Sequence, residues 1–211
     1  AASAVAAIVA AARSVASNTP KTHSRAVQAS MKLRYSTLKV GSLNLQGGLK
    51  NNIAELEGYF ASKELDIVAI QEAGNKAMEF KGYKHFWHEK GDVALLVVVP
   101  FVAEANGEVD RQIWIKITGT AGKKDLFVCS AHLPQERDRK EDREEAFGNL
   151  ESQAAEFQQQ GNVLVLGDLN AKLGSPATEA ERALIGRHGE PGRRTSNGAL
   201  VVGLIRRVGL V

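Results

Sequence analysis

Four points along this 211-residue chain carry residue types suited to phosphate and metal chemistry: Asn44, Glu72, His132, and the pair Asp168 and Asn170. Each lies at or just past the end of a short apolar run: Leu38–Leu45, Leu65–Ile70, Leu126–Ala131 and Val163–Leu166. A carboxylate at the end of a buried run is costly unless it meets a cation or a partner, which singles out Glu72. Asp168 and Asn170 are two apart, so on extended backbone both point to one face and Leu169 to the other. A carboxylate beside an amide could orient a water or a phosphate. Magnesium is held by one or two carboxylates, with water and phosphate oxygens completing its shell, so one Glu and one Asp suffice. Taken singly, each residue has a plainer role. Asn44 reads as a turn residue before Gly47 and Gly48, and Asp168-Leu169-Asn170 as an Asx-turn. Glu72 reads as a helix-start or surface carboxylate and His132 as an idle strand-end histidine.

The elements that must position these residues alternate between strands and helices. The period-two and apolar runs predict strands over Leu38–Leu45, Leu65–Ile70, Val93–Val99, Gln112–Thr118, Leu126–Ala131 and Val163–Leu166. Ile53, Leu56 and Phe60 step by three and four, predicting a helix over Asn51–Ser62. Phe147, Leu150, Ala154 and Phe157 do the same within the charged stretch Glu136–Gln160. A last helix is expected near Asn197–Val208, beyond a loop-rich stretch that starts at Lys172. Strands interleaved with helices predict an α/β protein, with antiparallel pairing among the runs at 93–99, 112–118 and 126–131.

Charge is unevenly spread. Residues 1–54 hold no Asp or Glu and seven basic residues, while all 24 acids lie beyond them. A second basic cluster contains Arg182, Arg187, Arg193, Arg194, Arg206 and Arg207. Basic ends suit a polyanion, and Arg187, Arg193 and Arg194 are the expected nucleic-acid contacts; solvated surface charge is the plainer account. Residues 1–36 form an Ala/Ser-rich basic leader, left outside the fold that is expected over 37–211. The leader is read as transit-like or as a flexible lead ahead of Met31, in preference to a secretory segment, because no basic stretch precedes its apolar run. A transit role would imply a nuclear or organellar, intracellular setting. The single cysteine, Cys129, excludes an intrachain disulfide.

Read in order, Ser42-Leu43-Asn44-Leu45-Gln46-Gly47, Ile70-Gln71-Glu72, Ala131-His132-Leu133-Pro134 and Gly167-Asp168-Leu169-Asn170-Ala171 resemble successive motifs of the endonuclease/exonuclease/phosphatase, or DNase I-like, superfamily. Asp92-Val93-Ala94-Leu95-Leu96-Val97 resembles its central strand. Ile185-Gly186-Arg187-His188-Gly189, then Asn197-Gly198 and Leu200, then Gly209-Leu210-Val211, look like the branch found in LINE-type retrotransposons.

The resemblance implies a two-sheet α/β sandwich flanked by helices, with its cleft at one edge. It implies a Mg²⁺-dependent phosphodiesterase (Mn²⁺ as the alternative ion), most simply a DNA endonuclease. Glu72 would ligate the metal with Asn44 beside it. Asp168 would orient or deprotonate the attacking water, Asn170 would hold the scissile phosphate, and His132 would touch it. Many LINE-type members have no histidine at that place. The superfamily pattern normally runs on through further strands to a Ser-Asp-His motif, in which none of this chain's five histidines lies. The expectation is therefore a domain missing its C-terminal strands, with a sheet edge open to a protein partner. Two other readings stand beside the nuclease: a catalytically degenerate structural or nucleic-acid-binding subunit, and a phosphatase or lipid phosphodiesterase of the same superfamily.

Overall fold

Strands that read as almost unbroken apolar runs are those covered on both faces. The structure, a computed structural model, describes residues 8–9, 38–47, 49–74, 78–90, 92–99, 101–119, 124–185 and 191–210. Its strands are β1 (Ile8–Val9), β2 (Val40–Asn44), β3 (Ile67–Gln71), β4 (Tyr83–Trp87), β5 (Val93–Val98), β6 (Ala103–Val109), β7 (Gln112–Ile117), β8 (Leu126–His132) and β9 (Asn162–Asp168). Its helices are α1 (Leu49–Lys63), α2 (Lys140–Gln160), α3 (Glu179–Ile185) and α4 (Ser196–Val208).

Two sheets form, in the orders β2-β3-β5-β4 and β1-β9-β8-β7-β6. The pairs β2–β3 and β8–β9 are parallel and the rest antiparallel. Alternation on each strand sends side chains to opposite faces, and both faces are used. On β3, Ile67 and Ala69 pack between the sheets against Ile115, Val128 and Leu166. Val68 and Ile70 face outward, in a cluster with Phe60 of α1 and with Phe80. The second sheet buries Trp114, Phe127, Cys129 and Val165 with Phe147, Leu150 and Phe157 of α2 and Val201 and Ile205 of α4. Phe157 anchors that layer. It stacks on Phe127 at 4.8 Å between ring centroids and meets Trp114 edge-on at 5.0 Å. Burying a side chain of this size stabilises by roughly 1.5–3 kcal/mol. The result is the expected α/β sandwich: helix, sheet, sheet, helix.

The expected antiparallel grouping holds in part. β7 and β8 pair as neighbours, but β5 pairs with β3 and β4 in the other sheet. After β5 the chain crosses between the sheets, burying Phe101 and Ala103 in the core they share. Three strands, β1, β4 and β6, and the short helix α3 lie outside the elements that the sequence patterns predict. Ile8–Val9, within the basic leader, pair antiparallel with Val165 and Leu164 along the outer edge of β9. No described helix is long and apolar enough to cross a membrane.

Candidate active site

The C-terminal ends of β2, β3, β8 and β9 meet at one end of the sandwich. Parallel pairing sets His132 of β8 beside Asp168 of β9, and Asn44 of β2 beside Gln71 of β3. Rigid strands carry each chemical group to the rim, and the following loops bend away.

Asn44 joins the two sheets. Its Nδ2 donates to Glu72 Oε1 at 2.8 Å and to Asp168 Oδ2 at 3.0 Å, while its Oδ1 accepts from Gln46 N at 3.0 Å. His132 Nε2 lies 3.5 Å from the same Glu72 oxygen. Asp168 is nearly buried, with 4% of its surface exposed, and its Oδ1 accepts from Asn170 N at 3.0 Å. The Asx-turn read from the sequence is thus present, and the same carboxylate also faces Asn44. Asn170 directs its side-chain Nδ2 to Leu133 O at 2.8 Å, tying the β9 loop to the β8 loop.

Backbone strain gathers at this rim. Five described non-glycine residues have positive φ, and four of them sit in the loops at this end: Gln46, Glu72, Arg111 and Asn170. Arg111 belongs to the group because its carbonyl accepts from His132 N. Left-handed backbone costs of order 1–2 kcal/mol per non-glycine residue and persists where the surroundings over-determine it. Gly167, at φ 143°, meets a different constraint: a Cβ there would lie 2.0 Å from Ala131 O. Only glycine lets β9 come this close to β8 one residue before Asp168.

Below the rim, a buried polar bridge holds the sheets in register. Gln71 Nε2 donates to Ser130 Oγ at 3.1 Å, Ser42 Oγ donates to Gln71 Oε1 at 3.3 Å, and Ser130 Oγ donates to Ile70 O at 3.3 Å. Gln71 precedes Glu72, and Ser130 lies two residues before His132, so the bridge fixes both. Sequence reading gave neither Gln71 nor Ser130 this role. The only sign was a polar residue in an otherwise apolar run.

The helix α4 closes the site from the chain's last segment. Thr195 caps it, its side chain accepting from Gly198 N and from Lys172 N. Asn197, fully buried, donates from Nδ2 to Pro134 O at 2.9 Å and to Asn170 O at 3.0 Å. Glu136 accepts from Asn197 N and Ser196 Oγ. Its carboxyl is held below the usual range, first by Ser196 and then by the Asn197 amide.

Among the described residues, no group of three or more His, Cys, Asp or Glu side chains is disposed to hold a metal ion. The acidic donors are two, Glu72 and Asp168, and both reach the same amide nitrogen. That number fits a hard cation whose remaining ligands are water and phosphate oxygens. Two of the arginines expected to contact nucleic acid fall among the described residues. Arg193 is exposed, Arg194 directs its guanidinium to Glu181 and to Leu173 O, and Arg187 lies outside the described residues.

Comparison with known proteins agrees with this arrangement. Residues 41–202 match the family described as "Endonuclease/Exonuclease/phosphatase family". The chain belongs to that family. Among solved structures, it is similar to the endonuclease domain of TRAS1, a telomere-specific non-LTR retrotransposon, at 18% identity and a TM-score of 0.56, over 82% of this chain and 71% of that one. It is also similar to humanized D. rerio TDP2, at 19% identity and a TM-score of 0.50, over 74% and 72%. C. elegans TDP2 gives 22% and 0.51, over 69% and 53%. These likenesses establish the DNase I-like fold. No curated protein matches the sequence.

Proposed function

We propose that the protein is a divalent-metal phosphodiesterase that nicks DNA, of the retrotransposon endonuclease type. The observation that carries it is the convergence of Asn44, Glu72 and Asp168, which come from three separate motifs, on one amide nitrogen at the rim of two sheets. The basic clusters favour a polyanionic substrate. The retrotransposon type rests on the motif resemblance, with the TRAS1 domain as its fold counterpart.

A Mg²⁺ or Mn²⁺ ion bound at Glu72 would supply positive charge against the phosphate oxygens. Glu72 would hold that ion, and Asn44 fixes the Glu72 and Asp168 carboxylates through its side-chain nitrogen. Asp168 orients the water and accepts its proton as the new oxygen–phosphorus bond forms and the bond to the leaving ester oxygen breaks, that oxygen taking a proton from solvent. Its Oδ1 is held toward the Asn170 amide, which fixes the rotamer before substrate arrives. Asn170, on the loop that leaves β9, and His132, at the end of β8, donate to the phosphate, stabilising the charge that grows on its oxygens.

The test is nicking of supercoiled plasmid by the purified chain with Mg²⁺, with EDTA, and in the variants Glu72→Ala and Asp168→Ala. Metal-dependent nicking lost in both variants is the expected result. Folded wild-type chain that leaves the plasmid intact overturns the reading, as does nicking that survives Glu72→Ala.

A further inference from the structure

A second asparagine repeats, on the loops, what Asn44 does on the side chains. His132 and Asp168 end neighbouring parallel strands, and the loops that leave them carry Pro134 and Asn170. One nitrogen, Asn197 Nδ2, donates to the carbonyls of both. Arg143 of α2 donates to Asn197 Oδ1 at 3.0 Å, and Glu136 accepts from Asn197 N at 2.9 Å. Asn197 therefore joins α4, α2 and both rim loops through four hydrogen bonds, with no exposed surface.

The following residue makes this reach possible. A Cβ on Gly198 would lie 1.9 Å from Lys172 O. Without one, the first turn of α4 presses directly on the loop that begins at Asn170. Thr195 N also donates to Lys172 O, and Thr195 Oγ1 accepts from Lys172 N. The segment Thr195–Gly198 thus docks by its backbone, and Asn197 enters between the loops.

We infer that Asn197 is a positioning residue: it sets the spacing of the β8 and β9 loops and thereby aims Asn170 and His132 at the substrate phosphate. The catalytic half of this inference rests on the phosphodiesterase reading above; the positional half does not. A helix that needed only to pack could do so through Val201, Leu204 and Ile205, which are already buried. A buried amide fully engaged with two loop carbonyls adds direction, which apolar contacts do not supply.

The experiment compares wild type, Asn197→Asp and Glu136→Ala. The aspartate keeps the size, the acceptor for Arg143 and the backbone N–H, but removes the donors to Pro134 O and Asn170 O. Glu136 is exposed, so its truncation leaves the core intact while releasing the α4 N-terminus. The first readout is the backbone and side-chain amide resonances of Asn170, alongside thermal unfolding. The expected result is that these resonances move in both variants, more in Asn197→Asp, while distant core resonances stay in place. If plasmid nicking is present in wild type, kcat falls about tenfold or more in Asn197→Asp with KM little changed, since small misplacements of reacting groups cost rate rather than affinity. Unmoved Asn170 resonances in either folded variant overturn the inference. So does an unchanged kcat in an Asn197→Asp protein that nicks. If wild type does not nick, the phosphodiesterase reading falls, and the resonances still decide whether Asn197 positions the loop.

Discussion

Glu72 and Asp168 share one donor, the side-chain nitrogen of Asn44, although they stand on different sheets. Two carboxylates held against one amide repel each other, and a divalent cation relieves that repulsion while an apolar neighbour does not. Bound cation stabilises the fold by mass action, by about 2.7 kcal/mol at a hundred times its dissociation constant. Thermal unfolding with and without Mg²⁺ is therefore expected to show a rise in Tm for wild type. The rise should vanish in Glu72→Gln, whose own Tm without metal should equal or exceed that of wild type.

The left-handed residues make opposite predictions from Gly167. Arg111 has φ 63° and a half-exposed side chain 3.7 Å from Asp110, a surface pair worth little. Arg111→Gly removes left-handed strain and is expected to stabilise by roughly 0.5–1 kcal/mol after glycine's extra chain entropy is counted. Gly167→Ala forces a Cβ onto the Ala131 carbonyl and should destabilise by about 3 kcal/mol or more. Urea unfolding of both variants measures the two signs together.

The bridge between the sheets gives a coupling test. Gln71→Leu takes from the buried Ser130 Oγ the donor it accepts from, leaving only its bond to Ile70 O, and takes from the half-buried Ser42 its acceptor; an orphaned buried group costs about 1–3 kcal/mol. Adding Ser130→Ala removes one of the orphans, so the double variant should be more stable than the sum of single losses predicts. Strict additivity in a denaturation cycle would show that the bridge contributes nothing as a unit.

Acid stability should report on Glu181. This buried carboxylate of α3 is held down to about 2 from the ordinary glutamate value of 4.5, first by Arg194, then by the Ala177 amide, with Arg206 also close. Its folded value is depressed, so its contribution is present above the unfolded value and is lost as pH falls from 4.5 toward 2. Glu181→Gln should be less stable than wild type at neutral pH, and the difference should shrink across that window. Parallel melting curves from pH 7 to pH 2 measure it.

Much of the site could be read in the sequence because its residues sit at ends of strongly apolar strands. β3, β5 and β9 are buried on both faces, so their composition announces them, and Glu72 and Asp168 are marked by where those runs stop. β4, Tyr-Lys-His-Phe-Trp, is an edge strand with an exposed lysine at its second position. β6, Ala-Glu-Ala-Asn-Gly-Glu-Val, is an edge strand with a register shift between Ala105 and Gly107. Edge strands may carry polar residues and irregularities that central ones do not, which erases the period-two signal. The role of Asn197 was illegible for another reason. Its partners on the two rim loops are backbone carbonyls, which every residue has, so no residue type at Pro134 or Asn170 signals the bond.

The chain separations in the site have a consequence for folding order. Asn44 meets Glu72 across 28 positions but meets Asp168 across 124. Closing a loop of that length costs entropy that is repaid only when both sheets have paired and stacked. The cleft is thus among the last features to assemble. During synthesis, a chain that has emerged only as far as α2 carries Asn44, Glu72 and His132 but not Asp168, so the rim stays incomplete until β9 has been made.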